Sequence, residues 1–208
     1  MMSLMSGVLL QLLAGSQAFA NPGTRTEMPF DTTVAAPRFA SVALDLRAGG
    51  ALKVVGGDSR IVRVHVTDRG NHCTDCVVAV TRTAAGVEVR TSRTISAGVP
   101  ADLLVELEVP TQTSIALSSA GGEVDVEGVD GTLSGTTAFG ALRLRRLSGA
   151  VQLETKRGDV TLRESYVKGQ LRTGAGRMLL EDVAGGVDAT SANGRVVERR
   201  VEHVQSTP

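Results

Sequence analysis

Tryptophan is absent from this chain, tyrosine occurs once and phenylalanine four times. So few aromatic faces, among them Phe30, Phe39, Phe139 and Tyr166, weaken a lectin-like, sugar-binding reading. An excess of one charge is missing too, because 22 Lys and Arg balance 22 Asp and Glu over 208 residues. No net field would draw the chain to nucleic acid or to an anionic membrane. No apolar run reaches the ~20 residues of a membrane-spanning helix, and no stretch holds a helical period. What is abundant is glycine, with 24 residues, together with Val and Thr. Turn-forming and β-branched residues in these amounts point to an all-β chain.

The first twenty residues, MMSLMSGVLLQLLAGSQAFA, carry no charge, hold an apolar run from Val8 to Leu13 and close on Ala18-Phe19-Ala20. They read as a secretory signal cleaved after Ala20, although the usual Lys or Arg before the apolar run is lacking. Residues 21–40, with Pro22, Pro29 and Pro37 and no sustained period, read as an extended arm or linker. Folding is expected to start near Ser41. A region of β-strands over 41–116 shows clean alternation at Val42-Leu44-Leu46, Val62-Val64-Val66, Val87-Val89 and Leu103-Val105-Leu107-Val109.

The remainder, 117–208, is a repeat array. Gly122, Gly140, Gly158, Gly176 and Gly194 recur at a fixed 18-residue spacing. Ser119, Thr137, Thr155, Thr173 and Ser191 precede them by three, and Val124, Leu142, Val160, Met178 and Val196 follow by two. Each unit offers two short alternating strands and two corners, one at these turn glycines and one near Gly131, Gly149, Gly169 or Gly185. A hairpin meander would suit Asn193-Gly194. The fixed columns instead favour a β-solenoid of 18-residue coils, in which like stacks on like and a Thr hydrogen-bonds to the Thr above it. With 41–116 leading into it, the array forms one continuous domain. Glu127, Arg145, Arg163, Glu181 and Arg199 form one charged line, and Arg146, Glu164, Asp182 and Arg200 the next. Both read as solvated faces. At the last coil the apolar column Val126, Leu144, Leu162, Leu180 breaks at Glu198. With Arg199, Arg200 and Glu202 it forms a charged cap that guards an exposed strand edge.

The glycine-punctuated repeats, the preceding run ADLLVELEVPTQTSIALSSAGGEVDVEGVDG with its Val-Pro stop, and the leader together resemble the bacterial putative-adhesin family of unknown function over about Ser41 to Val201. That resemblance implies a right-handed parallel β-helix, with N-terminal strands leading into the coils, in an exported bacterial protein. It supplies no catalytic motif.

The remaining constellation is GNHCTDCVVAV. Cys73 and Cys76, beside His72 and with Asp75 between them, admit a disulfide, a redox couple, a metal site completed by His65 or Asp75, or two free thiols. An oxidising compartment and a turn between strands favour the disulfide. A redox couple wants a cysteine at a helix N-terminus, and zinc wants four ligands. His203 reads as solvated. Asp125, Arg143, Glu123 and Asp159 share a face, but glycosidase chemistry needs two carboxylates in a cleft, and the short corners provide no long loops. The expectation is therefore a non-enzymatic, cofactor-free interaction, adhesion-like or envelope scaffold module. It is exported to the periplasm, cell surface or medium, forms a monomer or small oligomer, and has a protein or envelope component as partner. The alternative is a carbohydrate-binding or carbohydrate-active β-helix.

Overall fold

The structure, a computed structural model, describes residues 28–37, 39–70, 73, 75–93 and 101–203. The leader read over 1–20 lies outside these residues, as does His72. Among the described residues every regular element is a strand, fifteen in all, joined into one nearly closed, barrel-like sheet around a single main core.

The repeat region supplies β8 (Thr113–Ser119), β9 (Val124–Glu127), β10 (Asp130–Phe139), β11 (Leu142–Arg145), β12 (Ser148–Arg157), β13 (Val160–Ala175), β14 (Met178–Asn193) and β15 (Val196–His203). These strands pair in parallel, and a residue's partner is the one 18 positions along: Leu142 with Val160, Thr155 with Thr173, Leu162 with Leu180. A meander would have paired them antiparallel. Because side chains alternate across a strand, every second column points inward. The columns Val124-Leu142-Val160-Met178 and Val126-Leu144-Leu162-Leu180 are all within 1% of complete burial. Burying each such side chain stabilises the fold by about 1.5–3 kcal/mol.

The glycine column has a steric cause. A Cβ built on Gly140 would fall on the carbonyl oxygen of Gly122, one on Gly158 on that of Gly140, and one on Gly176 on that of Gly158. Each corner packs directly on the corner below, leaving no room for a side chain. The hydroxyl column serves the same corners. Thr173 Oγ1 donates to the carbonyl of Gly158 at 3.0 Å and Ser191 Oγ to that of Gly176 at 2.9 Å. Ser119 and Thr137 donate instead to a carbonyl two residues on, of Gly121 at 3.3 Å and of Phe139 at 3.2 Å, and Thr155 Oγ1 is buried with no hydrogen-bond partner among the described residues, so the expected Thr-to-Thr hydrogen bonding along the column does not form.

The second corner lies elsewhere than the glycines near it suggest. Arg146, Glu164, Asp182 and Arg200, one per coil, all adopt the left-handed conformation with φ between 49° and 56°, and Gly128 at φ 71° begins the column. Gly131, Gly149 and Gly185 instead share a strand column with Val167. A non-glycine residue costs about 1–2 kcal/mol in this conformation. Among the described residues Glu164 enters no ion pair, so Glu164→Gly is expected to raise the unfolding free energy by up to about 1 kcal/mol. Urea denaturation is the check, and a drop in midpoint would refute the strain argument.

Upstream stand β1 (Phe30–Ala35), β2 (Ala40–Leu46), β3 (Ala51–Gly57), β4 (Ile61–Asp68), β5 (Cys76–Arg82), β6 (Gly86–Arg93) and β7 (Leu103–Pro110). They do not enter the stack in chain order. β2 and β3 lie parallel beside β8 and β9, with Leu46 opposite Ser119 and Leu52 opposite Val124. β6 and β7 add in parallel outside β2 and β3. β5 and β4 then close this end antiparallel, and β1 pairs with β4. Part of the stretch read as an arm is therefore a strand, its alternation Phe30, Thr32, Val34 facing inward while Asp31 and Thr33 face out. Three prolines masked that period.

Candidate functional site

Cys73 and Cys76 are joined in a disulfide with their Cα atoms 5.3 Å apart. It sits on the crossover from β4 to β5, where Cys76 is fully buried and packs with Ala48, Ala101 and Leu103. Asp68 accepts hydrogen bonds there from the backbone N–H of Gly70 and of Cys73, and Asp75 accepts one from Arg93 at 3.1 Å. Asp75 is thus engaged by arginine, and His65 meets Asp31 at 3.2 Å. Among the described residues no group of three His, Cys, Asp or Glu is arranged to hold a metal ion. The bond closes a short loop, so Cys73→Ser with Cys76→Ala is expected to cost about 2 kcal/mol. Hydrogen exchange should rise first in β5, and unchanged protection there would contradict a structural role.

One outward face carries a cross-strand row that spans both halves of the chain. Asp31, His65, Glu106, Lys53, Asp125 and Arg143 stand side by side on β1, β4, β7, β3, β9 and β11. Basic and acidic residues alternate along it. Lys53 meets Glu106 at 3.3 Å, and in the next row Arg63 meets Glu108 at 2.9 Å. The charged line read from the repeats continues that second row. Arg145 pairs with Glu127 at 3.0 Å and Arg163 with Glu181 at 3.1 Å. Exposed pairs of this kind contribute about 0.2–1 kcal/mol each. At the last corner Arg200 hydrogen-bonds Asp182, which holds the Asp182 carboxyl below the usual carboxylate range and pushes the Arg200 guanidinium up. The stabilisation this lowered carboxylate provides is in place at neutral pH and is lost as pH falls through its depressed pKa.

Of the four residues that share a face in the sequence, three come together. Arg143 pairs with Glu123 and stands opposite Asp125, whereas Asp159 lies a coil further on, where it accepts from the Arg177 backbone N–H at 2.7 Å. Asp125 differs from its neighbours. Its Oδ1 is shielded from solvent and has no hydrogen-bond partner. It lines a surface groove of about 390 Å³ at the glycine corner, together with Lys53, Arg69, Asp102, Glu123 and Phe139. Arg69 donates to Asp102 Oδ1 from Nε at 3.1 Å and from a terminal nitrogen at 2.7 Å. The Phe139 ring lies over Gly121 and is 43% exposed.

The residues near Asp125 along the chain, Glu123 and Phe139, do not announce this groove by themselves, because Lys53 on β3, Arg69 just after β4 and Asp102 just before β7 come from the upstream half. A signal was nonetheless present. Ala48-Gly49-Gly50 and Ala120-Gly121-Gly122 open matching phrases, AGGALKVVG and AGGEVDVEG, and Gly56 matches Gly128. Their spacing is four repeat lengths, and the two phrases are stacking neighbours.

No family model matches the chain, and no curated protein does. Among solved structures it is similar to a putative cell adhesion protein from Clostridium sporogenes at 8% identity, covering 82% of this chain and 99% of that one with a TM-score of 0.38. A putative adhesin from Bacteroides fragilis is 12% identical, with 86% and 99% covered and a TM-score of 0.31. A putative lipid binding protein from Parabacteroides distasonis is 7% identical, with 85% and 97% covered and a TM-score of 0.30. These neighbours carry different functional names, and likeness at this level assigns none of them to the chain.

Proposed function

We propose that the chain is an exported, non-enzymatic, right-handed parallel β-solenoid that serves as an adhesion-like interaction or envelope scaffold module. The observation that carries this reading is the pair of broad lateral faces built by parallel strands at a constant 18-residue offset. One face bears the matched charge rows. The other presents short side chains, among them Ser114, Ala116, Ser118, Thr132, Ser134 and Thr136, all pointing outward from β8 and β10. Both faces are built on paired strands, and a surface held by its own sheet loses less freedom on binding than a loop does. The disulfide supports export, since such bonds persist in oxidising compartments.

The test is sedimentation of the purified chain with cell-envelope fragments of the producing bacterium. Two variants probe the faces: Arg143→Glu with Arg145→Glu and Arg163→Glu on one, Ala116→Arg with Ser134→Arg on the other. The bound fraction should fall at least about tenfold for one of them. Export is read separately, from the intact mass of secreted or periplasmic protein, which should begin at Asn21. If neither variant weakens binding, or the parent does not bind, the lateral-face reading fails.

A further inference from the structure

We propose that the chain forms a two-fold dimer through the open edge of β1, which pairs antiparallel with β1 of a second copy about Thr33. The dimer is independent of the lateral-face reading.

The edge lacks the usual protection. Among the described residues β1 pairs with β4 alone, so its far side turns backbone N–H and C=O groups away from any strand partner among them. Such edges are commonly blunted by Lys, Pro, a bulge or a cover. The strand reads FDTTVA, aromatic or β-branched at four of six positions, with neither Lys nor Pro. Its register against β4 runs residue by residue from Phe30 to Ala35, without a bulge. The one charge, Asp31, lies on the lateral face and meets His65. At the other end of the stack β15 carries Glu198, Arg199, Arg200 and Glu202.

The core beneath this edge is also unfinished. Val62, Val64 and Val66 on β4 are fully buried, whereas Phe30, Thr32 and Val34 beside them are only half-buried. Met28 and Ala36 pack partly buried on the same core. A further strand on the open side would remove more of this apolar surface from water.

The hydrogen-bonding phase of β1 selects a second copy as that strand. Ala36 N donates to the carbonyl of Arg60 at 3.0 Å, and the register places these two residues opposite each other. Bonded and non-bonded pairs alternate along an antiparallel ladder. Phe30, Thr32 and Val34 therefore spend their backbone groups on β4, and Asp31, Thr33 and Ala35 direct theirs to the open side. Those three positions are complementary to themselves. With Thr33 opposite Thr33 of the second copy, Asp31 falls opposite Ala35 and Ala35 opposite Asp31, forming about six backbone hydrogen bonds. On the inward face Thr32 meets Val34 of the second copy, a β-branched pair, and no like charges stand opposite each other. The two-fold axis uses up both edges, so the assembly closes at two copies.

This pairing continues one sheet across both molecules with their outward faces on the same side. The charged lateral face is thereby presented twice, and two such faces on one envelope surface bind with avidity.

The experiment is sedimentation equilibrium of the purified, folded chain. The parent should show twice the chain mass, with a Kd of about 1 µM or tighter. Thr33→Pro removes an N–H that β4 does not use, and it should raise the Kd at least about tenfold. Thr33→Lys and Thr33→Glu each place like charges opposite each other at the centre and should do the same, whereas an equimolar mixture of the two should recover the dimer. Recovery in the mixture also shows that both variants are folded. A parent that stays monomeric at about 100 µM would overturn the proposal and leave the edge to a strand of another protein. A dimer indifferent to all three substitutions, or a mixture no tighter than either variant alone, would overturn it as well.

Discussion

Gly140→Ala is expected to lower the unfolding free energy by about 3 kcal/mol or more, from two costs that add. Gly140 stands at φ 115°, where an L side chain is strained by about 1–2 kcal/mol. Its new Cβ would fall on the backbone carbonyl oxygen of Gly122, and overpacking against an unyielding neighbour costs about 1–3 kcal/mol. The neighbour is backbone and is itself a corner of the stack, so relief requires separating two coils. In a repeat array stability resides in such interfaces, and the damage should spread to the coils on either side. Two comparators make the test specific. Gly57→Ala has nothing within 4 Å of its Cβ and should be close to neutral. Gly128→Ala sits at φ 71° with 3.3 Å to the Gly56 carbonyl oxygen, so it should cost about 1–2 kcal/mol, chiefly from conformation. Urea midpoints should place Gly140→Ala lowest, Gly128→Ala between and Gly57→Ala highest. Equal midpoints for Gly140→Ala and Gly57→Ala would remove the stacked-corner explanation.

The second large effect concerns the end of the stack. Among the described residues β15 pairs only with β14, which leaves its other edge without a strand partner among them. Open edges recruit further strands unless charge or cover prevents it. Glu198 occupies the register position opposite Leu180, where the preceding coils place an apolar residue, and it is exposed. Arg199 and Arg200 reach back to Glu181 and Asp182, so they also serve the coil beneath. The cleaner variant is therefore Glu198→Leu with Glu202→Thr, which removes charge from the edge and leaves those pairs in place. Light scattering of the parent should give one defined size, whereas the variant should grow with concentration from about 10 µM upward. A variant that keeps the parent's size at every concentration would show that Glu198 and Glu202 do not guard the edge.

The two predictions rest on features that were unequally legible. The glycine column, the inward apolar columns and the charged last rung could all be read from one 18-residue spacing. Stacking places each residue on its own equivalent, so a steric demand at one coil is repeated in the sequence at every other. The left-handed corner was harder to see. It is occupied by Arg146, Glu164, Asp182 and Arg200 rather than by glycine, and charge hid a conformational column. In the same way the prolines around Phe30–Ala35 hid a strand whose period is complete.

The sequence by itself determined that the chain is all-β, that its second half repeats at a constant interval, and which side chains form the core. All three follow from local alternation and from identity between adjacent units. Only the tertiary structure decided that residues 40–57 lie against β8 and β9, with β6 and β7 outside them and antiparallel β4 and β5 closing the end. It also decided that Lys53, Arg69 and Asp102 meet Asp125 and Phe139 at one corner. The physical reason is that pairing between non-adjacent units is selected by matching corners and apolar columns across four repeat lengths. A loop of that size costs only slightly more to close than a short one. Chain order therefore does not dictate stacking order, and the groove exists only where the two orders diverge.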